Sequence, residues 1–235
     1  MSTSLYRWPA TAKFGRIVPK SKFYEHANIS ATVREGFVCE IQRIVWAYKL
    51  ADETIHLRGN AAVPEIQVFT IDAKEEDVTN DVLTAIDKAI QFPIIFEINR
   101  HTNEQTHTRM VAAHKRLGGA TQRLSGYFTT GWQLADAPRA PLPPALDLSG
   151  LYTGLLTPML PISARQGEDV SETTGRVDQA RKLEREIATL QKRLRTEPQL
   201  NRKVEVRRQV QDRTAALAAL TDPGAPKIEE TPWTN

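Results

Sequence analysis

The chain is poor in cysteine, because Cys39 is the only one in 235 residues. A single thiol forms neither an internal disulfide nor a cysteine zinc cluster, and this usage is typical of a reducing compartment. No apolar run approaches the ~20 residues that cross a bilayer, and residues 1–20 lack the basic flank and apolar middle of a secretory signal. The sequence therefore predicts a cytoplasmic protein with no membrane partner, in which Cys39 is a buried structural thiol.

Glycine-rich phosphate loops are also missing. Neither G-x-x-x-x-G-K nor G-x-G-x-x-G occurs, which argues against an ordinary nucleotide hydrolase or dinucleotide enzyme. His107 and His114 are seven residues apart, so on one regular strand they point to opposite faces and do not share a metal ion. We therefore predict no catalytic residue, no metal site and no cofactor.

One weak pattern keeps an enzymatic alternative open. A metal-dependent nuclease needs carboxylates and a lysine at strand ends, where they hold a divalent ion against a phosphate. The residues that approach this pattern are Glu65, Asp72, Lys74 and Glu97, together with Glu40 and Gln67. Such sets also arise by chance, so a catalytic role for them stays an open alternative.

Residues 1–135 hold most of the aromatic and β-branched residues and are predicted to form an α/β core domain. Apolar residues at spacings of three and four predict a helix over 31–50, capped by Ser30. The next predicted elements are a strand, a helix and three strands, over 65–71, 80–90, 94–98, 106–115 and 124–132. The first three form a β-α-β unit with parallel strands, and the last two form a hairpin through Gly118 and Gly119. The predicted fold class is α+β: an α/β core with a mixed, roughly four-stranded sheet, followed by a C-terminal antiparallel helical hairpin.

A run of prolines follows the core. Four prolines within residues 138–144 favour a stiff, extended spacer, because proline interrupts both helices and strand ladders. We predict a Pro-rich and polar linker with a short docking segment over 136–175, a basic helical hairpin over 176–221 and a flexible tail over 222–235.

The hairpin prediction comes from apolar periodicity. A seam with coiled-coil spacing runs through Ala180, Leu183, Ile187, Leu190 and Leu194. A poorer seam resumes after Pro198 through Leu200, Val206, Val210, Leu217 and Leu220, with Lys203 and Arg213 at positions where apolar residues belong. Thr196 is predicted to cap the second helix. Two helices of this kind bury their stripes by pairing.

Positive charge is concentrated in this hairpin. Residues 176–213 contain twelve basic and six acidic residues, a net charge of +6, whereas the whole chain carries +3. The predicted nucleic-acid or partner-binding residues are Arg181, Lys182, Arg185, Lys192, Arg195, Arg202, Lys203, Arg207 and Arg208. Three interpretations stay open for them: a solvated face with local ion pairs, a site for an acidic protein, or a site for nucleic acid.

Several segments carry a resemblance to a known family. They are IVPKSKFYE at 17–25, WAYKL at 46–50, EIQVF at 65–69, FPIIF at 92–96 and EPQLNRKVE at 197–205. In this order they resemble a bacterial family of unknown function, number 4391 in the domain-of-unknown-function series. The resemblance brings no catalytic motif. It implies a context, since members tend to be encoded beside helicases and DNA methyltransferases in restriction-like or phage-defence gene clusters.

The resulting functional prediction is a non-catalytic accessory subunit of a bacterial DNA-processing or phage-defence assembly. The core is expected to dock on a larger subunit such as a helicase or DNA methyltransferase. The basic hairpin is expected to reach a second protein or DNA. A direct DNA- or RNA-binding protein is the first alternative and a divergent metal-dependent nuclease the second. Homo-oligomerisation is left open.

Overall fold

A computed structural model describes residues 5–26, 29–102, 105–117 and 123–225. The chain divides into two compact units, Met1–Met159 and Leu160–Asn235, called unit 1 and unit 2 below. The division lies after Met159 rather than in the proline-rich run. Within the described residues, no helix is both long and apolar enough to span a membrane.

Unit 1 combines a mixed sheet with short helices. In chain order its elements are β1 (Lys13–Ile17), α1 (Ser21–His26), α2 (Ala31–Glu40), β2 (Ile41–Leu50), α3 (Asp52–Ile55), β3 (Ile66–Ala73), α4 (Asn80–Ala89), β4 (Ile94–His101), β5 (Thr106–Ala112), β6 (Lys115–Arg116), β7 (Arg123–Leu124), β8 (Phe128–Thr129), β9 (Gln133–Leu134) and α5 (Leu148–Leu156). Unit 2 contains α6 (Val170–Thr196) and α7 (Leu200–Thr221).

The main sheet has the order β1-β2-β3-β4-β5-β8, with β9 also paired to β5. The pair β3–β4 is parallel and encloses α4, whereas its flanking pairs are antiparallel. This confirms the α+β fold class with a mixed sheet and the predicted β-α-β unit. The described sheet contains seven strands, more than the four expected, because β2 is a strand rather than part of a helix and short strands pair along both edges. The predicted turn at Gly118 and Gly119 lies outside the described residues.

The predicted helix over 31–50 is wrong in its second half. It ends at Glu40, and the chain continues directly as β2. Every third residue of β2 is buried, which imitates a helical period, because the pairing with β3 shifts register twice along the strand. Each such irregularity inserts an extra residue into the two-residue alternation of a strand. Cys39, at the end of α2, is exposed rather than buried.

Packing is organised on one face of the sheet. Phe69 and Ile71 of β3 and Phe96 and Ile98 of β4 belong to a buried cluster that includes residues of α2 and α4. Because side chains alternate along a strand, Thr70, Asp72 and Glu97 point to the opposite face. The two faces therefore differ in chemistry, one apolar and the other containing polar groups.

The segment after residue 135 is part of unit 1 up to Met159. Ala140 exchanges backbone hydrogen bonds with Leu5 and Arg7, next to its bridge with Tyr6. The predicted docking segment forms α5, capped by Asp147 and buried along Leu148, Leu151, Tyr152, Leu155 and Leu156. Proline residues lack the backbone N–H that pairs neighbouring strands. The proline-rich run at 138–144 therefore leads to α5 with few strand-like hydrogen bonds.

A fully buried ion pair joins several of these elements. The Lys115 ammonium lies 2.7 Å from the Asp87 carboxylate, and both side chains are at most 1% exposed. Lys115 also donates to the carbonyls of Asp87, Ile90 and Phe92 at the C-terminal end of α4. Burial raises the pKa of Asp87 and lowers that of Lys115, while the contact between them opposes both shifts.

We predict that Lys115→Met lowers the free energy of unfolding of unit 1 by about 3–5 kcal/mol, because it leaves a buried carboxylate and three carbonyls without their donor. Urea unfolding followed by tryptophan fluorescence measures this, since Trp8, Trp46 and Trp132 lie in unit 1. Lys88→Met, on the exposed side of α4, is the control and should change stability by less than about 0.5 kcal/mol. Equal losses in both variants would contradict the assigned role.

In unit 2, α6 and α7 pack together as a helical hairpin. Asp169 caps α6 and forms a reciprocal pair with Glu172, so the helix begins at Val170, before the predicted start at 176. Thr196 ends α6 instead of capping α7, and Pro198 lies in the connection. The predicted tail lies outside the described residues from 226 onward.

Two buried arginines link the helices at the base of the hairpin, where α6 begins and α7 ends. Arg165 donates to the carbonyls of Ala219 and Asp222, where α7 ends. Arg176 donates to the carbonyl of Leu220. It also forms a bidentate salt bridge with Glu168, with distances of 2.7–2.8 Å. These contacts join the start of α6 to the end of α7.

The hydrogen bond from Arg176 lowers the pKa of Glu168 from 4.5 to about 2. Because the pKa is lower in the folded state, this contact stabilises the hairpin above pH 4.5, and the contribution is lost as the pH falls towards 2. We predict that Glu168→Gln reduces amide protection at residues 173–177 by at least about tenfold at pH 6 but by no more than about twofold near pH 2, where half of the Glu168 carboxyl groups are protonated. Hydrogen exchange of both proteins at each pH checks this, with Glu184→Gln as the control. A tenfold difference that persists at pH 2 would rule out the proposed charge dependence.

Candidate nucleic-acid interface

The basic residues of the hairpin divide into two groups along its length. We call residues 188–208, which include the connection between the helices, the distal half. This half contains seven basic and two acidic residues, a net charge of +5. The remaining helical parts, 170–187 and 209–221, contain five basic and five acidic residues and therefore have no net charge. The excess positive charge therefore lies entirely at the distal end.

Most of the distal cations face solvent. Lys203 is half-buried in the seam, and the exposed members of the group are Lys192, Arg193, Arg195, Arg202, Arg207 and Arg208. Arg208 pairs with Glu205 at 3.0 Å, and its hydrogen bond lowers the pKa of that carboxyl. The other six basic residues have no ion-pair partner among the residues that the structure describes. Five exposed charges, together with the half-buried Lys203, are thus available to an external anion.

The dimensions of this surface suit a polyanion. Each helical arm of the distal half spans about 12 Å at 1.5 Å per residue. A net charge of +5 on this length corresponds to roughly one charge per 2.4 Å, close to the 1.7 Å charge spacing of duplex DNA. Arginine is the more frequent cation here, and its planar guanidinium binds phosphate through two parallel hydrogen bonds.

Three of the predicted binding residues lie outside the distal half. Arg181 is 3.8 Å from Asp178 on the same helix. Lys182 and Arg185 line a groove of about 580 Å³ between α6 and α7, which also contains Glu186 and Asp212. Arg213 bridges to Glu186 across the helices at 3.1 Å, so this groove has charges of both signs. The sequence pattern does not separate these residues from the distal group, whereas the structure does.

The carboxylates considered for a nuclease are bound to other side chains. Asp72 accepts from Arg43, 2.6 Å away, and from Asn99 at 2.9 Å. Glu97 is buried and accepts from Arg139 at 2.6 Å and from the Trp8 indole at 2.8 Å. Asp72 and Glu97 lie on the same face of the adjacent strands β3 and β4, but each carboxylate is bound to a different arginine.

The other residues considered for a nuclease also form hydrogen bonds or ion pairs with neighbouring groups. Glu65 accepts from Gln67 and lies 3.4 Å from the Lys49 ammonium. Lys74 donates to the carbonyl of Val38, and Glu40 accepts from the backbone and hydroxyl of Thr79 at the start of α4. In the described parts of the chain, no three histidine, cysteine or acidic residues form a group able to hold a metal ion.

Comparison with known proteins gives one result. A family model described as a domain of unknown function (DUF4391) matches residues 7–217. The chain belongs to this family. No curated protein and no solved structure matches it.

The DUF4391 match covers nearly all of unit 1 and both helices of the hairpin. The family prediction made from the sequence segments is therefore confirmed, including the segment at 197–205 in the distal half. The description of the family assigns no chemistry to any residue.

Sequence reasoning missed two features of the DUF4391 hairpin. Leu200 is 75% exposed and Val204 60% exposed, one turn apart on α7 among the distal cations. Leu200 was assigned to the seam, because a one-dimensional apolar pattern does not show where the partner helix ends. Arg176, which enters the sequence prediction only through the net charge of the hairpin, is buried at the base of the hairpin. No signal in the local sequence distinguishes it from its neighbours.

Proposed function

We propose that this DUF4391 protein is a non-catalytic accessory subunit of a bacterial DNA-processing or phage-defence assembly, in which the distal half of the hairpin binds DNA. Six basic residues that have no ion-pair partner within the described part of the chain, on a part of the hairpin with net charge +5, carry the proposal. Solvation alone does not require the charge to be segregated, since the rest of the two helices is balanced and equally helical.

The exposed apolar pair favours contact rather than simple solubility. Leu200 and Val204 would lie against the sugar edges of a groove while neighbouring arginines contact phosphates. Phosphate contacts of this kind supply affinity and position but do not read sequence. The proposed binding is therefore largely independent of DNA sequence, and the protein works in the cytoplasm, where such assemblies act.

The proposed larger partner, a helicase or DNA methyltransferase, follows from the gene context that the family implies. Unit 1 has a suitable surface for it. The edge strand β1 is exposed along its whole length, and its side chains include Ile17, 67% exposed, and Phe14, 36% exposed. An exposed edge strand offers unpaired backbone groups to a strand of another protein.

The DNA contact is tested with two variants of equal charge change in the full-length protein. We predict that Arg195→Glu/Arg202→Glu weakens binding to a fluorescent DNA duplex at least about tenfold at low salt, because both removed charges contact phosphate. The proximal pair Lys182→Glu/Arg185→Glu is the matched control and should weaken binding less than about threefold. Fluorescence anisotropy measures both affinities, and circular dichroism checks that the helices are intact.

Equal losses for the two variants would show a diffuse electrostatic effect and contradict a distal site. Absence of binding by the unmodified protein would contradict DNA as the ligand. A single-stranded RNA of equal length, measured in parallel, distinguishes the RNA alternative.

The partner contact has its own test. We predict that Ile17→Asp greatly reduces recovery of the neighbouring gene products with tagged full-length protein, since it places a charge in an apolar interface. The variant Arg195→Glu/Arg202→Glu should leave this recovery unchanged. Loss of the partner in the hairpin variant alone would move the partner site from the core to the arm.

A further inference from the structure

A cleft of about 290 Å³ opens on the polar face of the sheet in unit 1. Its floor includes Thr70 of β3, on the face opposite the apolar cluster. Tyr48 supplies a half-buried aromatic ring to its wall, and the buried Trp8 ring lies behind it at a centroid distance of 6.1 Å. The volume is at the lower limit of small-molecule sites, so the cleft suits a compact metabolite rather than a macromolecule.

The walls of the cleft are fixed by hydrogen bonds that do not depend on a ligand. Arg139 donates to Glu97 and to the carbonyl of Tyr6, and the Trp8 indole donates to the same carboxylate. Backbone hydrogen bonds join Arg7 to Ala140 on either side of these contacts. A preformed site of this kind loses little conformational entropy on binding.

The charge in the cleft is not balanced. Arg139 neutralises Glu97, which leaves Arg7 and Lys13 at the rim. Neither of these two has an ion-pair partner in the described portion of the chain. Both are exposed, so the rim carries two positive charges that no described acidic side chain neutralises.

The cleft also contains unused hydroxyl groups. The side chains of Tyr48 and Thr70 are half-buried and have no hydrogen-bond partner in the described parts of unit 1. They offer a hydrogen bond to a ligand that enters beside the aromatic wall. The combined features are a dianion site at the rim, aromatic surface below it and polar groups at the floor.

We infer that this cleft binds a nucleoside monophosphate, with the phosphate between Arg7 and Lys13 and the base against the ring of Tyr48. A phosphate monoester carries close to two negative charges at neutral pH, which matches the two rim cations. Aromatic rings bind a base by stacking, and this contact does not depend on the pattern of hydrogen-bond donors and acceptors at the edge of the base. The inference is independent of the hairpin, since no cleft residue lies in unit 2.

Isothermal titration of the full-length protein with AMP, adenosine and inorganic phosphate tests the inference. AMP should bind with a dissociation constant below about 1 mM, and adenosine or phosphate alone should bind at least about tenfold more weakly, a difference of 1.4 kcal/mol. Arg7→Gln/Lys13→Gln should weaken AMP binding at least about tenfold. Lys88→Gln on α4 and the distal pair Arg195→Glu/Arg202→Glu should leave it unchanged.

Three results would overturn the inference. They are no heat of AMP binding, equal binding of AMP by the unmodified protein and the Arg7→Gln/Lys13→Gln variant, and adenosine or phosphate binding as tightly as AMP. Because the distal variant is measured beside the rim variant, failure of the cleft and failure of the DNA-binding proposal give different patterns.

Discussion

The burial of one ammonium group constrains how unit 1 is assembled. Lys115 reaches the last carbonyls of α4 and the Asp87 carboxylate from the strand that follows β5. Its own backbone donates to the Tyr152 hydroxyl of α5, and Tyr127 donates to Asp87. A helix end, a sheet edge and a later helix therefore converge on one ion pair.

Such a pair is not the most stabilising solution for a core, because the desolvation of two charges is costly. What the ion pair provides is conformational specificity, meaning that it favours one folded arrangement over others. Only an arrangement that brings all three carbonyls and the carboxylate to Lys115 avoids a buried unpaired charge. This fixes where α4 ends before β4 begins, and so fixes the sheet whose other face contains the cleft.

The hairpin shows the opposite use of charge. At its base, Arg165 and Arg176 satisfy carbonyls at the end of α7, and charges of both signs are present. At its distal end, like charges lie on two adjacent helices, which is locally destabilising. Arrangements that lower local stability, such as these neighbouring like charges, are expected at functional sites. The contrast between the two ends is the physical basis of the proposed function.

The elements that can be recognised from the sequence are those whose signals are local. The β-α-β unit and the hairpin are recognisable because their periodicity and flanking residues agree with their final structure. The strand over 41–50 was misread because its bulges give it a three-residue burial period. The roles of Lys115, Arg165 and Arg176 depend on carbonyl groups far along the chain, and a residue type alone does not reveal such partners. Similarly, the cleft combines Arg7, Tyr48 and Arg139, which only the folded sheet brings together.

The central claim is that distal cations contact DNA phosphates, and the salt dependence of DNA binding tests it most directly. For the full-length protein, the logarithm of the association constant should fall linearly with the logarithm of salt concentration, with a slope of about −4 to −5 if most of the six unpaired cations contact phosphate. Replacing Lys192, Arg195 and Arg202 by glutamine should make that slope shallower by about 2.7, at 0.9 per lost phosphate contact. A slope that stays unchanged on these replacements would contradict the account.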